Sequence, residues 1–187
     1  MKSTLHIVTP IAWVNSLMSY NGPQRQYSLN FKILFYLLMD YDSNKPLFTR
    51  QRFLPPSHIS GADIYRSKIC SGCIIENASI QKSVIGIRTV VGSNAHIEES
   101  IIHGAYRYQS PEERHCDLEN GMPPLGIGEN SVIRKAIIDK NARIGKNVHL
   151  VNEKNLDSLN REENGYMIVS SIIVVLENAI LPDNLCI

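Results

Sequence analysis

An apolar residue, two others and then Asn recur seven times in this chain. The copies are Ile74-Ile75-Glu76-Asn77, Val91-Gly92-Ser93-Asn94, Ile127-Gly128-Glu129-Asn130, Ile138-Asp139-Lys140-Asn141, Ile144-Gly145-Lys146-Asn147, Val175-Leu176-Glu177-Asn178 and Leu181-Pro182-Asp183-Asn184. Asn tolerates the left-handed backbone region that a tight corner demands. A short apolar period with Asn or Gly at a fixed offset marks a stacked solenoid. From Ile59 onward the anchors keep that period: Ile69, Ile75, Ile80, Ile85, Val91, Ile97 and Ile102, in steps of six and five. A second set runs Ile127, Ile133, Ile138, Ile144 and Leu150, and a third Ile168, Val174, Ile180 and Cys186 in steps of six. A helix needs spacings of three and four, and a flat strand needs two. Short parallel strands on a triangular coil satisfy the period, at about eighteen residues per turn.

Two polar, turn-rich stretches interrupt the period at residues 103–126 and 152–165. In repeat folds such insertions become loops on one face, often a binding face. The run Arg161–Glu163 reads as part of a solvated loop. Residues 1–45 show no period and carry turn signals at Asn21-Gly22-Pro23 and Asp42-Ser43-Asn44. A connector follows, extended at Pro55-Pro56. The expected organisation is an irregular segment 1–45 and an all-β solenoid 46–187. Each coil cannot bury its own apolar face, so stability comes from its neighbours. Open ends expose strand edges and need a cap or partner. Ile187 falls within the period without a polar cap, which points to contact with another subunit.

Apolar residues make up 43% of the chain, enough for a core, and the net charge of +1 gives no general pull toward nucleic acid or an anionic membrane. The run Ile33–Met39 is the most apolar stretch, too short for a membrane helix of ~20 residues. Neither a signal peptide nor a transit peptide is evident. The four cysteines read as reduced thiols. Cys70-Ser71-Gly72-Cys73 lacks a second CxxC or a suitably spaced His pair, so core or corner packing is expected rather than zinc.

Several segments resemble one family. They are Thr49-Arg50-Gln51-Arg52-Phe53-Leu54-Pro55-Pro56, Ser83-Val84-Ile85-Gly86-Ile87-Arg88, Gly126-Ile127-Gly128-Glu129-Asn130, Ile137-Ile138-Asp139-Lys140-Asn141-Ala142-Arg143-Ile144-Gly145 and Gly165-Tyr166. Together they are similar to the C-terminal region of glucose-1-phosphate adenylyltransferase (ADP-glucose pyrophosphorylase), over roughly residues 46–187. The resemblance implies a left-handed parallel β-helix of hexapeptide repeats that assembles a homo- or hetero-tetramer and helps to bind a phosphorylated small-molecule effector. It implies a plastid location in a plant and a cytoplasmic one in a bacterium. The family makes ADP-glucose from ATP and glucose 1-phosphate for starch or glycogen. That chemistry needs a glycine-rich phosphate loop and carboxylates for Mg²⁺. No Gly-Gly pair exists in this chain. The ATP and Mg²⁺ sites are therefore expected in a catalytic domain outside it, and no cofactor or catalytic residue is assigned here.

By the same resemblance, Lys140 matches a lysine that binds anionic effectors, and Arg52 a basic position that meets a phosphate, with Arg50 beside it. Arg forks suit phosphate. Arg143 joins this effector set, whereas Arg134, Lys135 and Lys146 lie near Lys140 in sequence and cannot all converge with it. Glu177 stands where many activator-responsive members carry Lys, though some carry Glu. A carboxylate there repels a phosphorylated activator. Tyr106-Arg107-Tyr108 replaces an Asp and paired tyrosines. The alternative reading is a hexapeptide-repeat acyltransferase with His103 as base, for which the sequence shows no group placed to orient it. A three-His metal site of the γ-carbonic anhydrase type finds no matching spacing among His96, His103, His115 and His149.

Overall fold

The computed structural model describes residues 53–187. Residues 1–45, the run Ile33–Met39, Arg50 and Arg52 lie outside the described residues. Leu54–Ile187 form one unit, wound as a triangular coil of very short strands. The first face stacks His58–Ser60, Ile74–Glu76, Val90–Val91, Gly126–Ile127, Arg143–Ile144 and Ile180–Leu181, all parallel. The second stacks Asp63–Tyr65, Ser79–Gln81, His96–Glu98, Val132–Arg134 and His149–Leu150. The third stacks Lys68–Ile69, Val84–Ile85, Ile101–Ile102, Ala136–Ile138 and Ile172–Val175.

Each coil without an insertion climbs by sixteen or seventeen residues rather than eighteen. The Cys73 amide meets the Ser57 hydroxyl sixteen residues back, and the Ser100 amide meets Ser83 seventeen back. The shortening comes from sides that step five residues, as from Ile75 to Ile80 to Ile85. Three five- or six-residue sides close the triangle only if the backbone reverses sharply at corners. All seven repeat asparagines do so, with φ between 46° and 61°. An L-residue loses roughly 1–2 kcal/mol in that region. Asn reduces this cost by bonding locally and, here, by bonding to its equivalent in the next coil. Asn94 donates to Asn130, Asn130 to Asn147 and Asn147 to Asn184, at 3.1–3.3 Å. The Gly that precedes three of these corners, Gly92, Gly128 and Gly145, has no room for a side chain. A Cβ on Gly128 would lie 2.3 Å from the Gly145 carbonyl oxygen.

Inside the triangle, one apolar residue per strand stacks on its counterpart one coil away. Ile75, Ile80, Ile85, Ile97, Ile133 and Ile144 are at most 1% exposed. Burying such a side chain contributes about 1.5–3 kcal/mol. The third anchor set needs a one-residue correction. Ile180 is 46% exposed and Cys186 is exposed, whereas Val175 and Leu181 are fully buried and Ile187 packs against the core. Ile172-Ile173-Val174-Val175 is apolar on both sides, so a period of six can be laid on it in two registers. The corner asparagines resolve the choice: Asn178 and Asn184 follow Val175 and Leu181 by three, as Asn130 follows Ile127. Ile168, the first of that set, is buried in the core as expected, but it does not lie on a parallel strand of the coil. It lies on Tyr166–Val169, an antiparallel strand that pairs with Ile172–Val175 and with Ser158–Arg161.

The second insertion thus adds a hairpin to the third face instead of forming a loop. The first insertion holds the single α-helix of the described residues, Pro111–Glu119. Ser110 caps it, accepting from the Glu113 amide, while the Glu113 carboxylate accepts from the Ser110 amide. The helix buries none of its residues. Side-chain ties must therefore hold the insertion to the coil. Cys73 is buried, with its thiol 3.0 Å from the Gly86 carbonyl, and Cys70 is half-buried; both are free. Burial pushes both thiols up, so they are packing residues. Among the described residues no cluster of His, Cys, Asp and Glu could hold a metal ion.

Candidate functional site

The corner after Ala136–Ile138 is assembled by main-chain bonds before any ligand chemistry enters. The Asp139 carboxylate accepts the Lys140 amide at 2.8 Å, a local turn bond. The same oxygen lies 2.9 Å from Nδ1 of His103, whose side chain is 2% exposed. Burial pushes the Asp139 carboxyl up, but the bonds from His103 and the Lys140 amide outweigh it and hold the group below its ordinary value. Asn141 adopts φ 57°, takes its amide to the Gly104 carbonyl, and accepts the Tyr106 amide on its side chain at 2.9 Å. It also donates to Asn178 one coil on, at 3.1 Å.

These bonds leave Lys140 on a rigid corner. Its ammonium lies 4.8 Å from the Tyr106 ring centroid. The Tyr106 hydroxyl donates to the Glu177 carboxylate at 2.7 Å, and that bond pushes the phenol up. A cation–π contact at a partly exposed site contributes about 0.5–1 kcal/mol. It orients the ammonium without neutralising it. Among the described residues no carboxylate lies within ion-pair distance of Lys140. The corner therefore offers one oriented cation, with a carboxylate held one ring away.

The other cations near it in sequence are placed elsewhere. Arg143 bonds to Asp117 at 2.7 Å and to the Pro123 carbonyl at 2.8 Å, so it ties down the first insertion. Arg134 pairs with Glu98 on the second face, and Lys146 pairs with Glu129. Lys135 is exposed at its own left-handed corner. His103 requires a correction. Asp139 does orient it, a partner hidden from the sequence because the two residues are 36 apart. Burial of the imidazole removes it from any external acyl acceptor, and its bond pins the start of the insertion to the coil.

The joining of Lys140 with Glu177 and Tyr106 was missed in the sequence, although a signal for half of it was there. Lys140 and Glu177 occupy the same third place of two repeat copies, and the copies stack because Ile138 pairs with Val175. No sequence pattern brings in Tyr106, which reaches the corner from the insertion.

Triangular coils of short parallel strands with left-handed Asn corners and an insertion folded over one corner define a left-handed parallel β-helix. Residues 52–186 match the family described as the GLGC left-handed parallel beta-helix domain, and the chain belongs to that family. The match bears out the resemblance to the C-terminal region of glucose-1-phosphate adenylyltransferase.

Proposed function

We propose that this solenoid is the regulatory and assembly domain of a glucose-1-phosphate adenylyltransferase subunit. The enzyme makes ADP-glucose from ATP and glucose 1-phosphate in starch or glycogen synthesis. The single observation that carries the regulatory role is Lys140, an oriented ammonium without an ion-pair partner among the described residues. It would take a phosphate group of an effector. Glu177 sets the limit on that affinity, because its carboxylate shares the corner and opposes a second anion. Catalysis belongs to a nucleotide-binding domain, with ATP and Mg²⁺, that the solenoid does not supply. The domain's other role is to join subunits into a tetramer.

Lys140→Ala tests the reading. In the assembled enzyme it is expected to weaken binding of a phosphorylated sugar about tenfold, the loss of one charge-assisted contact, while sedimentation stays unchanged. Unchanged affinity removes Lys140 from the site. The purified chain, given ATP, Mg²⁺ and glucose 1-phosphate, is expected to release no pyrophosphate. Turnover would contradict the assignment.

A further inference from the structure

Beneath the first insertion lies a second feature, remote in chemistry from the Lys140 corner. The insertion arches over the outer side of the first face and leaves a cleft of about 510 Å³. Small-molecule sites span roughly 300–1,000 Å³ and are lined mainly by apolar groups with a few polar ones. Ile74 and Val90 form part of the floor, and Tyr108, Leu118, Met122 and Pro124 part of the roof. Leu118 is 49% exposed although it faces this cleft, so an apolar wall stands without a partner.

The roof is fixed in place. The Tyr108 hydroxyl donates to the Gly72 carbonyl at 2.9 Å, and the Leu125 amide donates to Gln109 at 3.1 Å. Arg143 clamps the helix and the segment after it through Asp117 and Pro123. A void under a tied roof is a preformed cavity, which lowers the ordering cost of filling it.

The charges in the lining divide into satisfied and unsatisfied groups. Arg107 pairs with Glu113, and Lys146 pairs with Glu129. The Asp183 carboxylate accepts the Lys146 amide. Among the described residues, Arg88 and Arg114 line the cleft with no carboxylate in ion-pair distance. Arg88 stacks over the Tyr108 ring at 5.9 Å and donates from Nη1 to the Ala105 carbonyl at 3.4 Å, which orients its guanidinium without neutralising it. Glu76 is an unpaired carboxylate of the lining, suited to accept from a hydroxyl.

We infer that this cleft binds a small organic anion with a flat, largely apolar body. The body fills the space between Val90 and Leu118, and the anionic group takes the unpaired guanidinium groups of Arg88 and Arg114. Four cations line the cleft, Arg88, Arg107, Arg114 and Lys146, against three carboxylates, Glu76, Glu129 and Asp183, which favours an anion over a cation.

The probe is 2-naphthyl phosphate, titrated into the full chain and followed by its fluorescence. Saturable binding is expected, with inorganic phosphate and 2-naphthol each binding far more weakly. Arg114→Met removes a charged donor and is expected to weaken binding about tenfold or more. Leu118→Trp fills the cavity from an exposed position and is expected to abolish it. Glu76→Gln is expected to leave binding equal or tighter. Lys140→Ala is expected to leave it unchanged, which separates this site from the proposed effector corner. The inference is overturned if no saturable binding occurs, if Arg114→Met and Leu118→Trp bind as the parent does, or if Lys140→Ala removes the signal.

Discussion

Asn147 carries two contributions in one residue, and two substitutions separate them. Its backbone sits at φ 55°, and its side chain accepts from Asn130 at 3.2 Å and donates to Asn184 at 3.1 Å. Both bonds are exposed, so each contributes at the low end of the usual range, about 0.5 kcal/mol. Asn147→Ala loses both bonds, and a Cβ without a local polar partner then occupies the left-handed region. That adds about 1 kcal/mol, giving about 2 kcal/mol in all. Asn147→Gly loses the same bonds but relieves the backbone, and its extra freedom in the unfolded chain offsets part of that relief. It should cost about 1 kcal/mol. Urea unfolding of the parent and both variants measures the order, and the gap corresponds to about 4 °C in thermal midpoint for a domain of this size. If Asn147→Gly is as destabilised as Asn147→Ala, the corner is not the reason for Asn. The ladder alone would then explain it.

The Asp139 carboxyl lies below its ordinary value, so the stability it contributes is present above the unfolded pKa of about 3.9 and is lost as pH falls through the folded value. Asp139→Asn is therefore expected to flatten the acid limb of a urea-midpoint profile below about pH 5; an unchanged limb would place the acid sensitivity elsewhere. Gly128→Ala drives a Cβ toward the Gly145 carbonyl, whereas a Cβ on Gly121 meets nothing within 4 Å. Unfolding measurements are expected to show a loss above about 2 kcal/mol at Gly128 and about 1 kcal/mol at Gly121, whose φ of 71° alone is strained. Equal losses would mean that the coils can separate at Gly128 to admit the methyl group.

Much of the solenoid was legible because its physics is local and repeated. The anchors from Ile75 to Leu150 fall inside, and the seven asparagines are all left-handed corners. The third set slipped by one residue where Ile172–Val175 is apolar on both sides and the period loses its polar marker. The second insertion read as a loop because a strand that pairs antiparallel to a coil breaks the period without declaring its partner. At the candidate site, Lys140 was legible from the motif around it. Its neighbours were not, since neither the motif nor the period says where an insertion folds back.

The sequence alone determined the triangular coil, its corners and its inward residues as far as Leu150. Each depends on a residue's own backbone preference and on stacking against an equivalent residue one coil away. Only the tertiary structure decided what the charged residues do. It turned Arg143 into a strut, gave His103 its Asp139 partner, set Tyr106 between Lys140 and Glu177, and opened the cleft beside Leu118. Those contacts join the coil to an insertion that has no period. Their geometry follows from where the insertion is tied, which no spacing in the chain encodes.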